Sequence, residues 1–437
     1  MYLSLFLNPV IVSVVILCVL CVRKVNVLLS LIIAAITAGL LAKMPIGDVM
    51  QIFVSGMGGN SETALSYILL GTFAAAMIHT GLTKLIANKI SVVVKDRKFL
   101  LIFILALLAV ISQNLIPVHI AFIPILIPPL LALMNRLNID RKAVACALAF
   151  GLKAPYIVIP AGFGLIFQGL IASSISQNGI AVKTDDVWRY VWILGVAMLV
   201  GLLIAVFVTY RKPRQYENKD IYSDDTVSEI PKFSKKHAIT LFAAFVTFVT
   251  QIITKSLPLG AIAGLTIIFG TGVISHEKTD KMIDEGVGIM GYIAFVMLIA
   301  GGYAMVLQST GSIDALIQGI EPLMHGSKLI AAVLMLLVGL FITMGIGTSF
   351  GTIPILAVLF VPICQSTGFS VPATIIILAA AAALGDAGSP ASDTTLGPTA
   401  GLNADGQHNH IKDTCIPTFL HYNIALIIFA LISVLIF

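Results

Sequence analysis

Residues 385–398 read Gly385-Asp386-Ala387-Gly388-Ser389-Pro390-Ala391-Ser392-Asp393-Thr394-Thr395-Leu396-Gly397-Pro398, and they directly follow the apolar run 374–384. As a helix that run is about 16 Å long, enough to carry the chain roughly half way through a bilayer's hydrocarbon. Gly388 and Pro390 then forbid a regular helix, because proline has no N–H to donate and its ring clashes with the preceding turn. Broken backbone at membrane depth survives only where protein or a water-filled cavity covers it. A carboxylate at that depth costs roughly 2.5–3.5 kcal/mol even on lenient scales, so a pair seven residues apart needs a role. Asp386 and Asp393, with the hydroxyls of Ser389, Ser392 and Thr394, offer hard oxygen donors suited to a small cation or a proton. The segment therefore reads as an ion site, with Na+ placed at Asp386, Asp393 and Ser392. Alternatively Asp393, just before two threonines, caps a half-helix.

The rest of the chain supports a membrane setting. Of 437 residues, 58% are hydrophobic and only 11% charged, and the mean hydropathy is +1.03. A soluble fold cannot hide that much apolar surface. Ten-residue alternating segments, the mark of a membrane β-barrel, are absent. The fold class is an all-α polytopic membrane protein. Hydropathy places spans near 4–22, 25–43, 63–83, 143–178, 187–210, 238–255, 257–275, 287–308, 372–400 and 415–437. The first is read as a retained span rather than a signal peptide, since no basic residues precede it and no small-residue cleavage site follows. The CxxC formed by Cys18 and Cys21 lies on this apolar segment and reads as packing.

Two blocks, 99–134 and 327–365, are about 35 residues long and interrupted near their middles. A single helix of that length overshoots the bilayer, so each is expected to be a re-entrant hairpin of two half-helices. With that layout the cytoplasmic loops collect 20 of the 26 Lys and Arg, as the positive-inside rule requires. Both termini then face outward across a cell (inner) membrane. The hydrophilic segment 211–237 is a cytoplasmic linker between a first transmembrane repeat, 1–210, and a second, 238–437. His408, His410, Asp405 and Asp413 fall in a loop on the same side and read as solvated polar residues.

The two halves share motifs about 230 residues apart. His79-Thr80-Gly81 recurs as Ser309-Thr310-Gly311, and Ile123-Pro-Ile-Leu126 as Ile353-Pro-Ile-Leu356. Gly151-Leu-Lys-Ala-Pro155 matches Gly385 to Pro390 with one residue added. The first hairpin enters from the cytoplasm and the second from outside, so the repeats are inverted, an architecture many secondary transporters share. Four chain breaks then meet near one depth. Candidate substrate contacts are Ser112, Gln113 and Asn114 at the first hairpin tip, with His119 just beyond. At the second tip they are Gly347, Thr348, Ser349 and Thr352. Lys153, on the first broken helix (143–178), either balances an aspartate of the second (372–400), binds an anionic substrate group, or snorkels to the cytoplasm.

No nucleotide-binding GxxxxGK[ST] or HExxH pattern is present, which argues against an ATP-driven pump; the chain is read as a carrier, not an enzyme, with no nucleic-acid partner. Gly385–Pro398, together with Gly347-Thr-Ser-Phe-Gly-Thr352, resembles the NhaC-type sodium/proton antiporter family of the ion transporter superfamily. That resemblance covers nearly the whole chain. It implies an ion-coupled carrier built on hairpin tips and unwound helices, commonly a homodimer, with Na+ and H+ as coupling ions and no other cofactor. It also matches Asp386, Ser389, Ser392, Asp393 and Thr394 to the family's site. After Thr395 the chain departs from the antiporters and looks more like a branch proposed to move amino acids, histidine among them. The sequence therefore favours Na+/H+ exchange by alternating access, with a cation-coupled amino-acid permease as the alternative. The layout itself predicts that a green fluorescent protein inserted within 219–230 fluoresces, whereas one fused after Phe437 stays dark and an alkaline phosphatase there is active; the opposite pattern at Phe437 would overturn the outward C-terminus.

Overall fold

The computed structural model describes residues 7–23, 25–82, 85, 89, 94, 97–114, 123, 126–218, 233–254, 256–312, 315, 327–346, 348–390 and 392–437. Among these residues the regular structure is entirely helical. The N-terminal half contains α1 (Pro9–Val22), α2 (Val27–Leu41), α3 (Ile46–Met57), α4 (Ser61–His79), α5 (Lys98–Asn114), α6 (Leu131–Arg136), α7 (Arg141–Val158), α8 (Phe163–Gln177) and α9 (Thr184–Thr209). The C-terminal half contains α10 (Lys235–Thr254), α11 (Leu257–Gly270), α12 (Thr279–Ser309), α13 (Lys328–Ile346), α14 (Ser349–Ser366), α15 (Val371–Ala383), α16 (Asp393–Leu402) and α17 (His410–Ile436).

Five of these helices carry stretches long and apolar enough to cross a bilayer: 184–209, 235–254, 290–309, 349–366 and 410–436. Two further pairs of helices reach that length and apolarity together but are bent at a break, α3–α4 by 51° and α7–α8 by 49°. Local chemistry sets many starts. Asn26, Asp140, Ser256, Ser370 and Ser392 each accept a hydrogen bond from a backbone N–H in the first turn of the helix that follows, satisfying donors that a helix leaves open. The polyalanine stretch Ala379–Ala383 is a strong helix former and is buried on every side, as expected of a helix apolar all round.

Helices from the two halves of the chain pack against one another. The longest such contact joins α4 to α12, where Gly71 lies against the Gly286 carbonyl and Met290 so closely that a Cβ would stand 2.5 Å from that oxygen. Small residues let helices approach in this way within lipid. Likewise α9 packs on α17, and α7 on α16.

Several expectations need correction. Helix α3 and the one-turn Gly58–Asn60 lie in a stretch that hydropathy left unassigned, because α3 mixes exposed polar and apolar residues. The arms of the second hairpin, α13 and α14, have 19 and 18 residues. At 1.5 Å per residue they are about 27–28 Å long, so they are longer than the half-helices expected. Much of the outgoing arm of the first hairpin lies outside the described residues.

Three of the four polar residues read as solvated after α16 are buried, while His410 is half-buried. Asp405, His408 and Asp413 are 9%, 2% and 8% exposed. The reason is Arg141, itself fully buried at the start of α7, which donates to both Asp405 oxygens at 2.7 and 2.6 Å, to the Leu402 carbonyl at 2.8 Å and to Asn135 Oδ1 at 2.9 Å. Burial pushes the Asp405 carboxyl up, but the bonds and charge of Arg141 and the Gln407 donors outweigh it and hold it below the usual carboxylate range. Burial, with help from Arg141 and Arg214 and against the pull of Asp413 and Asp405, holds the His408 imidazole at about 4, so it stays neutral in the cell. No group of three or more His, Cys, Asp or Glu able to hold a metal occurs among the described residues.

The first eight linker residues, 211–218, are strapped over this cluster. Tyr216 stacks on the Arg141 guanidinium at 4.2 Å, Arg214 reaches Asp413 at 3.2 Å, and the Glu217 backbone exchanges bonds with the Gln407 amide at 2.9 and 2.7 Å. Only 211–218 and 233–237 of the linker fall among the described residues. Arg141→Ala is expected to cost about 3 kcal/mol or more, because it leaves Asp405 charged, buried and unpaired. The contribution of Asp405 is fully present above the unfolded carboxylate value and is lost as pH falls through its lowered folded one. Denaturant melts of the detergent-solubilised protein at neutral and acid pH check both; an Arg141→Ala protein as stable as the parent at neutral pH would refute the pairing.

Candidate functional site

The α7–α8 break lies against Asn114 at the end of α5, the α15–α16 break lies against α13 and Ser349, and glycine shapes each break. Gly162 (φ 57°) ends the α7–α8 break, where a Cβ would stand 2.0 Å from the Asn114 carbonyl at the first hairpin tip. Gly385 (φ 79°) and Gly388 (φ 118°) frame the α15–α16 break. A Cβ on Gly385 would meet Leu340 O and Met344 N of α13 at 2.7 Å, and one on Gly388 would meet Phe419 of α17 at 2.5 Å. These positive φ values favour glycine, and the contacts exclude any side chain.

Asp386 lies between those glycines, 3% exposed. Its Oδ2 is 2.7 Å from Lys153 Nζ of α7, accepts from Ser349 Oγ at 2.6 Å and from Ser349 N at 3.3 Å, and accepts from the Tyr156 hydroxyl at 3.1 Å. Its Oδ1 accepts from Ser392 Oγ. Lys153 is fully buried and also donates to Tyr156 OH at 3.1 Å and Ser349 Oγ at 3.2 Å. Its ammonium thus faces Asp386, one of the two aspartates it was expected to balance. One carboxylate is thus held by α7 of the N-terminal half and by the start of α14 and the break of the C-terminal half. The N-terminus of α14 adds its partial positive charge through Ser349 N–H.

Other expected residues play different parts. Ser392, not Asp393, is the side-chain cap of α16, accepting from Thr394 N at 3.1 Å. Asp393 follows it in the first turn, half-buried, where a carboxylate complements the helix dipole. Thr394 Oγ1 sits 2.8 Å from Ser392 Oγ and donates to the Asp386 carbonyl at 3.2 Å. Ser389 turns away and donates to the Met344 carbonyl at 3.0 Å, fastening the break to α13. Thr352 donates to the Ser349 carbonyl at 2.9 Å, and Thr348 precedes α14 with no side-chain capping bond. Ser112 donates to its own helix at Ala109 O. Gln113 and Asn114 are 2% and 0% exposed, and Gln113 Oε1 and both amide atoms of Asn114 have no hydrogen-bond partner among the described residues. His119 and Gly347 lie outside the described residues.

Sequence reasoning passed over Tyr156, although it stands three residues after Lys153 and so on the same helix face. It also missed an aromatic wall beside the pair. Tyr156 packs on Phe167 and Phe350 with ring centroids 5.2 and 5.1 Å apart, and Tyr67 packs on Phe163 and Phe350 at 5.3 and 6.0 Å. No local motif links rings from α4, α7, α8 and α14.

Comparison with known proteins places the chain. Residues 147–434 match the model of the Na+/H+ antiporter family, and residues 8–94 match a second Na+-H+ antiporter family model. A Bacillus subtilis protein named as the putative amino acid transporter YuiF is 46% identical, over 98% of this chain and all of its own length. A membrane protein of Haemophilus influenzae is 44% identical over 98% of each chain. Among solved structures, the Alcanivorax borkumensis YdaH transporter superposes with a TM-score of 0.59 over 89% of this chain and 88% of its own, at 14% identity. Neisseria gonorrhoeae MtrF, described with a class of antimetabolite efflux pumps, gives 0.54 over 88% and 83% at 15% identity. At such identities those two structures speak for a shared fold, whereas the family match and the full-length relatives speak for descent: the chain belongs to the Na+/H+ antiporter family of membrane transporters.

Proposed function

We propose that the protein is a cation-coupled carrier of amino acids, working by alternating access around the Lys153–Asp386 pair. The observation that carries this reading is the 2.7 Å contact itself. An isolated charge in that interior costs several kcal/mol, so neither partner can be drawn away unless something replaces it. A zwitterion replaces both at once. Its carboxylate takes the Lys153 ammonium, its own ammonium takes Asp386 with Ser349 and Ser392, and every charge stays paired throughout. The aromatic wall beside the pair offers an apolar surface to the substrate side chain. The name of the Bacillus subtilis relative points the same way. In this reading the two halves are inverted repeats, and Na+ or H+ supplies the driving gradient in the cytoplasmic membrane.

A second reading, Na+/H+ exchange, is favoured by the oxygen set. Asp386, Ser349, Ser392 and Thr394 bring a carboxylate and three hydroxyls together, a donor set that suits a hard cation. Na+ entering there displaces the Lys153 ammonium. Left unpaired in a dry interior, the ammonium sheds a proton, and exchange follows.

Reconstituted protein separates the two. Saturable counterflow of labelled amino acids is expected, lost by about a hundredfold or more in Asp386→Asn and in Lys153→Met, since each removes a group that binds the transported species directly. Collapse of a proton gradient by Na+, with no amino-acid counterflow across a full panel, would instead support the second reading. Full transport of either kind in Asp386→Asn would sink both. The same variants carry a stability signature: each single change is expected to cost about 3–5 kcal/mol, and the double change Lys153→Met with Asp386→Asn far less than their sum, because it leaves no orphaned charge. Thermal melts of all three against the parent check this.

A further inference from the structure

The groups that shape Asp386 extend to the far end of the chain. Helix α17 departs from regular α geometry in two π segments, His410–Cys415 and Phe419–Asn423. Pro417 lies between them and cannot donate to the carbonyl four residues back, so the ladder is interrupted there. A π turn admits one extra residue and changes which side chains face a neighbour, and such turns are frequent at functional sites. Here the second π segment ends on Asn423, which is 1% exposed.

The Asn423 amide faces the α15–α16 break and uses both of its ends. Its Oδ1 accepts from Gly385 N at 3.3 Å, and its Nδ2 donates to the Ala387 carbonyl at 3.2 Å. Gly385 and Ala387 are the two neighbours of Asp386. One side chain therefore holds the backbone on both sides of the carboxylate, at the point where the chain has left helical geometry and those groups lack helical partners. Phe419, in the same π segment, closes the break from the other side by its contact with Gly388. On the opposite flank the Asp386 carbonyl is held by Thr394. Three residues of α17 therefore lie between its contact with Gly388 and its grip on the two neighbours of Asp386, and all of them fall within the second π segment.

We propose that Asn423 is a positioning residue of the transport site, fixing the direction in which Asp386 projects by clamping the backbone on either side of it. This rests on Asp386 being the residue that binds the transported species, but not on what that species is. Asn423→Ala removes both bonds, whereas Asn423→Asp keeps an acceptor for Gly385 N–H. Tyr422→Phe is the matched control: its hydroxyl, in the same π segment, bonds the Cys146 carbonyl and does not touch the break.

The test reads Asp386 directly. Infrared difference spectra of the reconstituted protein between acid and alkaline buffer contain a carboxyl band, identified as the one that Asp386→Asn abolishes. Its position and titration midpoint are expected to shift in Asn423→Ala, to shift less or in a different sense in Asn423→Asp, and to be unchanged in Tyr422→Phe. In counterflow of the labelled amino-acid panel, and of radioactive Na+, Asn423→Ala is expected to raise KM for the carried species about tenfold with the maximal rate nearly kept. An unmoved band in Asn423→Ala, with a melting temperature lowered as in Tyr422→Phe, would overturn the proposal and leave Asn423 a packing residue. If Asn423→Ala does not fold, the band in Asn423→Asp decides in the same way. A parent protein that moves neither amino acids nor Na+ would end the functional reading, while the band would still judge the clamp.

Discussion

A lysine and an aspartate, both buried, can share a membrane interior only while they face each other. Lys153 comes from α7 and Asp386 from the break between α15 and α16, so their mutual need for neutrality draws the two halves of the chain onto one point. Much else follows. The break must leave helical geometry to present Asp386, which requires glycines at 385 and 388; the hairpin must bring Ser349 within bonding distance; and Ser392 must serve both as cap of α16 and as donor to the carboxylate. The residues around the pair are therefore constrained by charge before they are constrained by shape.

The same helix makes a second attachment of the same kind. At the start of α7, Arg141 reaches Asp405 beyond the end of α16, and the beginning of the linker is laid over the pair by Tyr216, Arg214 and Glu217. A segment rich in charge and proline would be free if its partners were in water. Here the partners are a buried guanidinium and the amide of Gln407, and the backbone of 214–218 is held accordingly.

What could be read from the sequence was the part that bilayer physics enforces. Long apolar runs, the basic loops and the Gly-Pro interruptions located the helices, and the cost of buried carboxylates pointed to Asp386 and Asp393 as a pair. Lys153 was visible as a charge out of place with an aspartate of the second broken helix as one candidate partner, but which aspartate it meets was not legible, because the 232 residues between Lys153 and Asp386 carry no local signal of contact. Tyr156, Asn423 and Arg141 escaped for the same reason: each acts through a neighbour distant in sequence. Asp405 and His408 were misread because a polar loop looks the same whether water or an arginine satisfies it. Helix α3 was missed because its mixed polarity resembles a loop when only hydropathy is consulted.

The two attachments of α7 lie twelve residues apart on a continuous helix, about 18 Å along its axis. A rod fastened at one end behaves as a lever about that end. If the Arg141 clasp holds while the helix tilts, a rotation of about 10° carries Lys153 roughly 3 Å sideways over that arm, enough to double its present separation from Asp386. In the proposed alternating-access cycle, the length of α7 between its two charges would act as a gear ratio, converting a small tilt of the helix into the opening or closing of an ion pair.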